Sequence, residues 1–254
     1  MLSNEKIIEE LKNLGITPPK IIFYESIDST NTRAKEWAKQ NPDNHSPVVF
    51  IANRQTAGRG RRGRSFVSEG GAGIYISILT YPKESGADAT ATTARAAVTL
   101  AKATESLSDC DIKIKWVNDL YLGGKKLAGI LTEAEMVEDG KIAYQVVGMG
   151  INVYKKAISD EISDIATSIE GETGIGIDRS KLAAAIIKYQ LHYKGDFYTE
   201  YKSRSFIIGK RVTVMKLSES YEAEVVDIDS DFSLIIERDG KKERLFTGEI
   251  SLKI

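Results

Sequence analysis

Apolar residues Ile7, Ile8, Leu11 and Leu14 recur at helical spacing and stop at Gly15, which predicts a helix over residues 4–14. Pro18 and Pro19 end it and lead into a short strand, Ile21 to Tyr24. Ala34, Trp37 and Ala38 return to helical spacing, with Ser29 or Asp28 as the N-cap. After the Asn41-Pro42 break the texture changes, and Val48 to Ala52 and Gly73 to Tyr81 are continuous apolar runs of strand length. Residues 87–107 are alanine-rich with few breakers and predict a long helix packed through small side chains. Ile112-Lys113-Ile114-Lys115-Trp116 alternates as a strand, and the turn Val117-Asn118-Asp119 puts a carboxylate at its tip. Leu120 to Leu122, Gly123-Gly124 and Lys126 to Glu133 read as a hairpin. A second hairpin turns at Asp139-Gly140 and returns through Lys141 to Gly148-Met149-Gly150-Ile151-Asn152-Val153. Residues 178–202 predict one helix, capped by Asp178 and carrying Leu182, Ile186, Ile187 and Leu191.

Past Arg204 the runs become short and β-rich: Arg211 to Met215, Ala223 to Ile228 and Leu234 to Glu237, separated by polar turns that include Asp239-Gly240. Such spacing predicts a small appended barrel. The expected division is therefore a large domain over 1–203, opening with a short helix inside 1–19, and a small β domain over 204–254.

Between the two apolar runs at 48–52 and 73–81 lies the most unusual stretch, Gln55 to Phe66. It interleaves Arg59, Arg61, Arg62 and Arg64 with Gly58, Gly60 and Gly63. Glycine lets backbone approach a ligand closely, and arginine offers a permanently charged planar fork for phosphate or carboxylate. A cationic loop held between strands suits a small anion, a nucleic-acid contact or a solvated surface. Net charge decides part of this: at −1 over 254 residues, the chain lacks the basic excess of a general nucleic-acid binder. The loop also has no aromatic interleaving on which bases could stack. A single cysteine, Cys110, permits no internal disulfide, and His45 and His192 lack metal-ligand spacing, so a Cys/His zinc site is not expected. No apolar run reaches the length of a membrane span and the N-terminus is not signal-like, which predicts a cytoplasmic protein. Ser29 and Thr30, at a strand-to-helix junction, suit helix capping, and one hydroxyl can cap while its neighbour bonds a ligand.

Five motifs occur together and in order: Ser29-Thr30-Asn31, the Gly58–Arg64 run, Lys115-Trp116-Val117-Asn118-Asp119, Lys126-Leu127-Ala128-Gly129-Ile130-Leu131, and Gly148–Asn152. This set resembles the biotin protein ligases (biotin–[acetyl-CoA carboxylase] ligases) over roughly residues 20–254, with Gly248-Glu249-Ile250-Ser251-Leu252 also matching. The resemblance implies an α+β fold: a large mixed-sheet catalytic domain flanked by helices, of the class II synthetase-like biotin/lipoyl ligase type, with a small C-terminal SH3-like β-barrel. It implies that biotin's carboxylate attacks the α-phosphate of ATP to give biotinyl-5′-AMP and pyrophosphate. The amine of a lysine on a biotin carboxyl carrier domain then takes the acyl group. By the same resemblance Ser29, Thr30, Asn31, Gln55, Gly58, Arg59, Trp116, Lys126 and Gly129 would bind biotin. Arg61, Arg62, Arg64, Phe66, Asn118 and Asn152 would bind ATP and the adenylate, with the Arg61–Arg64 segment folding over it. Lys126, Arg59 and Asp119 would be catalytic. Asp119 would either place Mg²⁺, a hard ion that prefers oxygen donors, or accept the proton of the incoming lysine. Trp116 also reads simply as a strand-end packing residue, Asp119 as a turn-former, and Lys126 as a hairpin surface residue.

Three positions depart from the family pattern. Ser65-Phe66 replaces Lys-Trp, which keeps an apolar face but loses an indole N–H. Trp116-Val117 replaces Trp-Pro, and Asp231-Phe232-Ser233 replaces a glycine turn. The 28 residues before Ser29 offer one helix, too little for the winged helix-turn-helix of repressor relatives, so specific DNA binding is not expected. Lipoate–protein ligase is the nearest alternative enzyme, and a non-enzymatic nucleic-acid module using the arginine loop is the alternative of another class. Relatives pair through the sheet of the main domain, which admits a homodimer.

Overall fold

A computed structural model of the chain describes residues 2–66, 68, 70–82, 89–137, 141–216, 219–246 and 251–253. Its elements in chain order are α1 (Asn4–Asn13), β1 (Lys20–Tyr24), α2 (Thr30–Gln40), β2 (Val48–Ala52), β3 (Gly73–Thr80), α3 (Ala89–Glu105), β4 (Lys113–Lys115), β5 (Asp119–Leu122), β6 (Lys125–Met136) and β7 (Ile142–Asn152). They continue with α4 (Ile169–Thr173), α5 (Arg179–His192), α6 (Phe197–Arg204), β8 (Arg211–Met215), β9 (Ser220–Ile228), β10 (Leu234–Arg238), β11 (Lys241–Leu245) and β12 (Ser251–Lys253).

The two continuous apolar runs become β2 and β3, buried throughout apart from the last residue of β3. A strand reads as unbroken hydrophobic sequence when both of its faces are covered. Here Val49 and Ile51 point into a core shared with α1, α3 and α5, while Val48 and Phe50 meet Ala34 and Ala38 of α2 on the other face. β1 pairs with β2 in parallel and the remaining neighbours are antiparallel, giving a seven-stranded mixed sheet in the order β1-β2-β3-β7-β6-β5-β4. Gly123 and Gly124, both at positive φ, turn β5 into β6, a conformation that glycine adopts without a Cβ clash.

The small domain is a five-stranded antiparallel sheet, β11-β10-β9-β8-β12. Asp239 and Gly240, both at positive φ, form the β10–β11 turn. The substituted turn at Asp231-Phe232-Ser233 is well defined: Phe232 adopts φ 65° and Asp231 accepts hydrogen bonds from Ser233 N and Oγ at 3.0 and 2.6 Å. The Phe232 ring is thereby buried against Tyr198 and Tyr201 of α6, and its carbonyl accepts from Trp116 Nε1 at 2.8 Å. Tyr201, fully buried, donates to Val117 O at 3.1 Å across the cis Trp116–Val117 junction.

The single helix expected over 178–202 is instead two. Tyr193 is extended, and Asp196 caps a new helix by accepting from Thr199 N at 3.1 Å. The Tyr193 hydroxyl occupies the space that a Cβ on Gly195 would need and lies 3.3 Å from Glu200 Oε1, so a side chain at the corner would push the Tyr193 ring aside. The pattern also missed α4, β11 and β12. The Asp139-Gly140 turn and Gly248–Ile250 lie outside the described residues. No helix among the described residues is long and apolar enough to cross a membrane.

Candidate functional site

The site lies over β6 and β7, where Gly129, Gly148 and Gly150 leave the sheet without side chains, in a cleft of about 880 Å³ that is partly open to solvent. One end is neutral and densely hydrogen-bonded. Ser29 caps α2 by accepting from Thr32 N at 3.5 Å. The segment before α2 is stitched to the start of the Gly/Arg loop by Thr56 N to Ile27 O and Ala57 N to Asp28 O, at 2.8 and 2.9 Å. That stitching brings Gln55 beside Thr30, whose N and Oγ1 both donate to Gln55 Oε1 at 2.8 and 3.0 Å. Gln55 Nε2 in turn donates to Ser68 Oγ at 3.0 Å. Ser77, a buried polar residue in the otherwise apolar run of β3, lies 2.7 Å from Thr30 Oγ1 and 2.6 Å from Asn31 Oδ1. A Cβ on Gly148 would overlap that same Asn31 oxygen.

The Gly/Arg stretch is a miniature hairpin. Phe66 N donates to Gly58 O at 2.9 Å, Gly60 N to Arg64 O at 2.7 Å, and Arg59 bridges Ser65. Gly58 has to be glycine, because a Cβ there would fall into Phe66 O and Ser68 Oγ. The neck rests on the sheet through the Phe66 ring, which fills the space above Gly150 and Gly129. The tip, a 3₁₀ turn over Arg61–Gly63 with Arg62 at φ 56°, is fastened through both Arg61 and Arg62. Arg61 Nη1 donates to Asn118 Oδ1 at 3.0 Å, and Arg62 Nη1 donates to Met215 O of the small domain at 3.3 Å. Burial lowers the Arg61 pKa, offset by the nearby Asp119 charge, but an arginine stays protonated at any physiological pH.

At the other end Lys126 Nζ lies 2.7 Å from Asp119 Oδ1, and Asn118 Nδ2 donates to the same oxygen at 3.0 Å. Lys126 is not a free hairpin lysine. Its N donates to Ile165 O at 3.0 Å and its carbonyl accepts from Thr167 N at 2.9 Å. Lys115, paired with Asp119 across the β4–β5 ladder, has its pKa lowered by burial, with the Lys126 and Arg64 charges adding to the effect. Lys126, Lys115 and Arg61 thus act on a single carboxylate, an arrangement that favours an arriving anion. Among the described residues no three acidic, histidine or cysteine side chains form a metal cage. Magnesium is commonly held by one or two carboxylates plus substrate phosphates, and Asp119 Oδ2 fits that limited role, since Oδ1 is committed to Lys126 and Asn118.

Of the residues singled out in the sequence, Ser29, Thr30, Asn31, Gln55, Arg59, Arg61, Arg62, Arg64, Phe66, Asn118, Asp119, Lys126 and Gly129 line this cleft together. Gly58 shapes the neck from behind. Asn152 lines a second, more apolar cavity of about 710 Å³ with Leu127, Ala128, Ile162 and Ile165. Ser65, Phe66 and Lys126 are the wall shared by the two cavities. Asn152 Nδ2 donates to Thr167 O at 3.0 Å. Trp116 does not line either cavity: it is buried and faces Phe232 of the small domain. Residues not singled out are Ser77, Ser68, Lys35 and Glu133. Ser77 was signalled as a small polar residue set between Ile76 and Ile78 in the apolar run. Glu133 accepts from Asn31 Nδ2 at 2.9 Å, Lys35 Nζ at 2.6 Å and Arg59 Nη1 at 3.1 Å. Burial pushes its carboxyl pKa up, but the Lys35 and Asn31 hydrogen bonds outweigh that and hold it below the ordinary value.

Residues 23–152 match the profile of a family described as the Biotin/lipoate A/B protein ligase family. The chain is 31% identical over 243 residues to the bifunctional ligase/repressor BirA of Bacillus spizizenii, which covers 91% of this chain and 74% of that protein. It is 34% identical over 173 residues to the biotin–[acetyl-CoA-carboxylase] ligase of Paracoccus denitrificans, covering 64% of this chain and 70% of that one. Among solved structures, the biotin protein ligase from Aquifex aeolicus in complex with biotin and ATP superposes with a TM-score of 0.74 at 28% identity, covering 92% of this chain and 98% of that one.

Proposed function

We propose that this chain, which belongs to the biotin/lipoate A/B protein ligase family, is a biotin protein ligase whose cleft and the adjoining cavity together carry both halves of the reaction. ATP activates biotin to biotinyl-5′-AMP with release of pyrophosphate. A lysine amine of a biotin carboxyl carrier domain then displaces AMP to form the amide. The observation that carries this reading is the polarity of the cleft: neutral hydrogen-bonding groups at one end, clustered cations at the other.

The neutral end suits a ureido ring, which presents one carbonyl acceptor and two N–H donors. Ser29, Thr30, Asn31 and Gln55 offer hydroxyl and carboxamide partners for it, with Ser77 holding Thr30 and Asn31 from behind. A dithiolane ring offers neither the carbonyl acceptor nor the N–H donors that these groups can bond, so biotin is favoured over lipoate. At the other end, Lys126 sits where the carboxylate and α-phosphate would meet. Arg59, Arg61, Arg62 and Arg64 ring the mouth. Fixed cations aimed at charge that concentrates in the transition state accelerate the step without costly reorganisation. The base of ATP is assigned to the second cavity beside Phe66 and Asn152. Magnesium would accompany the phosphates at the Lys126 end of the first cleft, with Asp119 as its protein ligand. The alternative role for Asp119 is that of a base taking the proton of the acceptor lysine.

The test is labelled pyrophosphate exchange into ATP, followed by labelling of a carrier domain. Biotin-dependent exchange and modification of one carrier lysine are expected. Exchange with lipoate but not biotin, or no exchange by a folded protein, would overturn the reading.

A further inference from the structure

Glu133 is unused in the mechanism above, yet it touches both the ring end of the cleft and the arginine hairpin. It stands on β6 with its side chain 21% exposed. One oxygen accepts from Asn31 Nδ2 at 2.9 Å, and the other from Lys35 Nζ at 2.6 Å and Arg59 Nη1 at 3.1 Å. Asn31 has little freedom to answer any change there. Its amide also donates to Leu131 O at 3.2 Å, its oxygen meets Ser77, and Gly148 leaves room for it and nothing more. Arg59 in turn belongs to the neck of the hairpin through its bridge to Ser65, so whatever holds its guanidinium holds the neck against the sheet.

We propose that Glu133 is a positioning residue that ties the ring pocket to the neck of the Gly/Arg hairpin, fixing the Asn31 carboxamide and clamping Arg59 with the same carboxylate. A ligand that draws on Asn31 then acts on the clamp, and hairpin closure responds to occupancy of the pocket. Without the carboxylate, Arg59 and Lys35 are two like charges facing one another, and the neck lifts. Naming biotin as the ligand rests on the function proposed above; the link from Glu133 to Arg59 does not.

Trypsin provides the readout, since the tip carries its own cleavage sites at Arg61, Arg62 and Arg64, and cutting reports the open population when closing is fast. Glu133→Gln keeps the volume and an acceptor for Asn31 while removing the charge. Loss of a half-exposed ion pair predicts about threefold faster cutting at the tip in ligand-free protein. Arg59→Ala should accelerate cutting to a similar degree, an arm that stands even if the Glu133 variant does not fold. Adding Glu133→Gln to Arg59→Ala should have no further effect, and Lys35→Met should leave cutting at the wild-type rate. A residue that served stability alone would lower the melting temperature without this site-specific change. The proposal is overturned if folded Glu133→Gln is cut at the wild-type rate, if the two substitutions add, or if Lys35→Met accelerates cutting as much. Biotin should protect the wild-type tip and protect Glu133→Gln less. Failure to protect the wild type, with the ligand-free pattern intact, would remove the biotin reading and leave the Glu133 link standing.

Discussion

At the scale of single residues, Lys126 and Gly148 separate chemistry from shape. Lys126 forms an ion pair with Asp119 and none of its contacts reaches Thr30, Gln55 or Ser77. Replacing it with alanine should therefore leave biotin binding nearly intact and slow adenylate formation by about 10²–10³, the cost of removing one preorganised group aimed at developing charge. Single-turnover adenylation at saturating substrates, beside a binding isotherm, checks this; adenylation near the wild-type rate would take Lys126 out of the mechanism. Gly148→Ala makes the opposite prediction. Its new methyl would collide with Asn31 Oδ1, and overpacking of this kind costs about 1–3 kcal/mol. Because the displaced group is itself a proposed ring contact, biotin affinity should fall about tenfold or more by calorimetry, a loss in which overpacking and a lost hydrogen bond combine.

At the scale of elements, the Gly/Arg hairpin is the part whose hold on the sheet can be changed without touching the core. Arg61 fastens its tip to Asn118, and Gly63 already takes positive φ beside it. Arg61→Gly removes that fastening and raises the entropy lost on closure, so the hairpin should spend more time open. Adenylation should persist, but the mixed anhydride should escape and acylate bystander lysines. Mass spectrometry of an unrelated lysine-rich protein in the reaction gives the measurement, and labelling confined to the carrier would show that the tip is no lid. The corner between α5 and α6 teaches a related lesson. Helical spacing runs on through residues 193–196, but a glycine and an N-capping aspartate break it there, and the resulting angle aims Tyr198 and Tyr201 at Phe232.

At the scale of the whole molecule, α6 is the strut between the domains. Lys102 donates to Glu200 at 2.7 Å, Arg204 bonds both Glu105 and Glu200, and Lys202 Nζ lies 2.7 Å from Asp227 Oδ1 of β9. The Lys102 hydrogen bond holds the Glu200 carboxyl below its ordinary value, and the Lys202 hydrogen bond does the same for Asp227. A carboxyl whose folded pKa is depressed stabilises the fold above its unfolded value, and that contribution is lost as pH falls through the folded value. Urea midpoints should therefore decline once the pH drops below about 4.5, the ordinary glutamate range. Glu200→Gln should be less stable at neutral pH and show a shallower decline. Parallel curves for the two proteins would remove Glu200 from the acid response.

Local sequence determined much of this protein. Its apolar runs specified β2 and β3, because strands covered on both faces must be hydrophobic at every position. Glycine pairs and capping residues marked the turn at Gly123-Gly124 and the start of α2, since few other residues adopt those conformations. The candidate site was legible because its chemistry demands unusual residues in compact runs. What only the tertiary structure decided are the contacts between segments far apart in the chain. Glu133 meets Arg59 across 74 positions and Arg62 reaches Met215 across 153. Trp116, placed by its motif beside the substrate, turns instead to Phe232. An ordinary charge in a strand and a tryptophan at a strand end carry no local sign of their partners, because the sheet order and the docking of the small domain choose them.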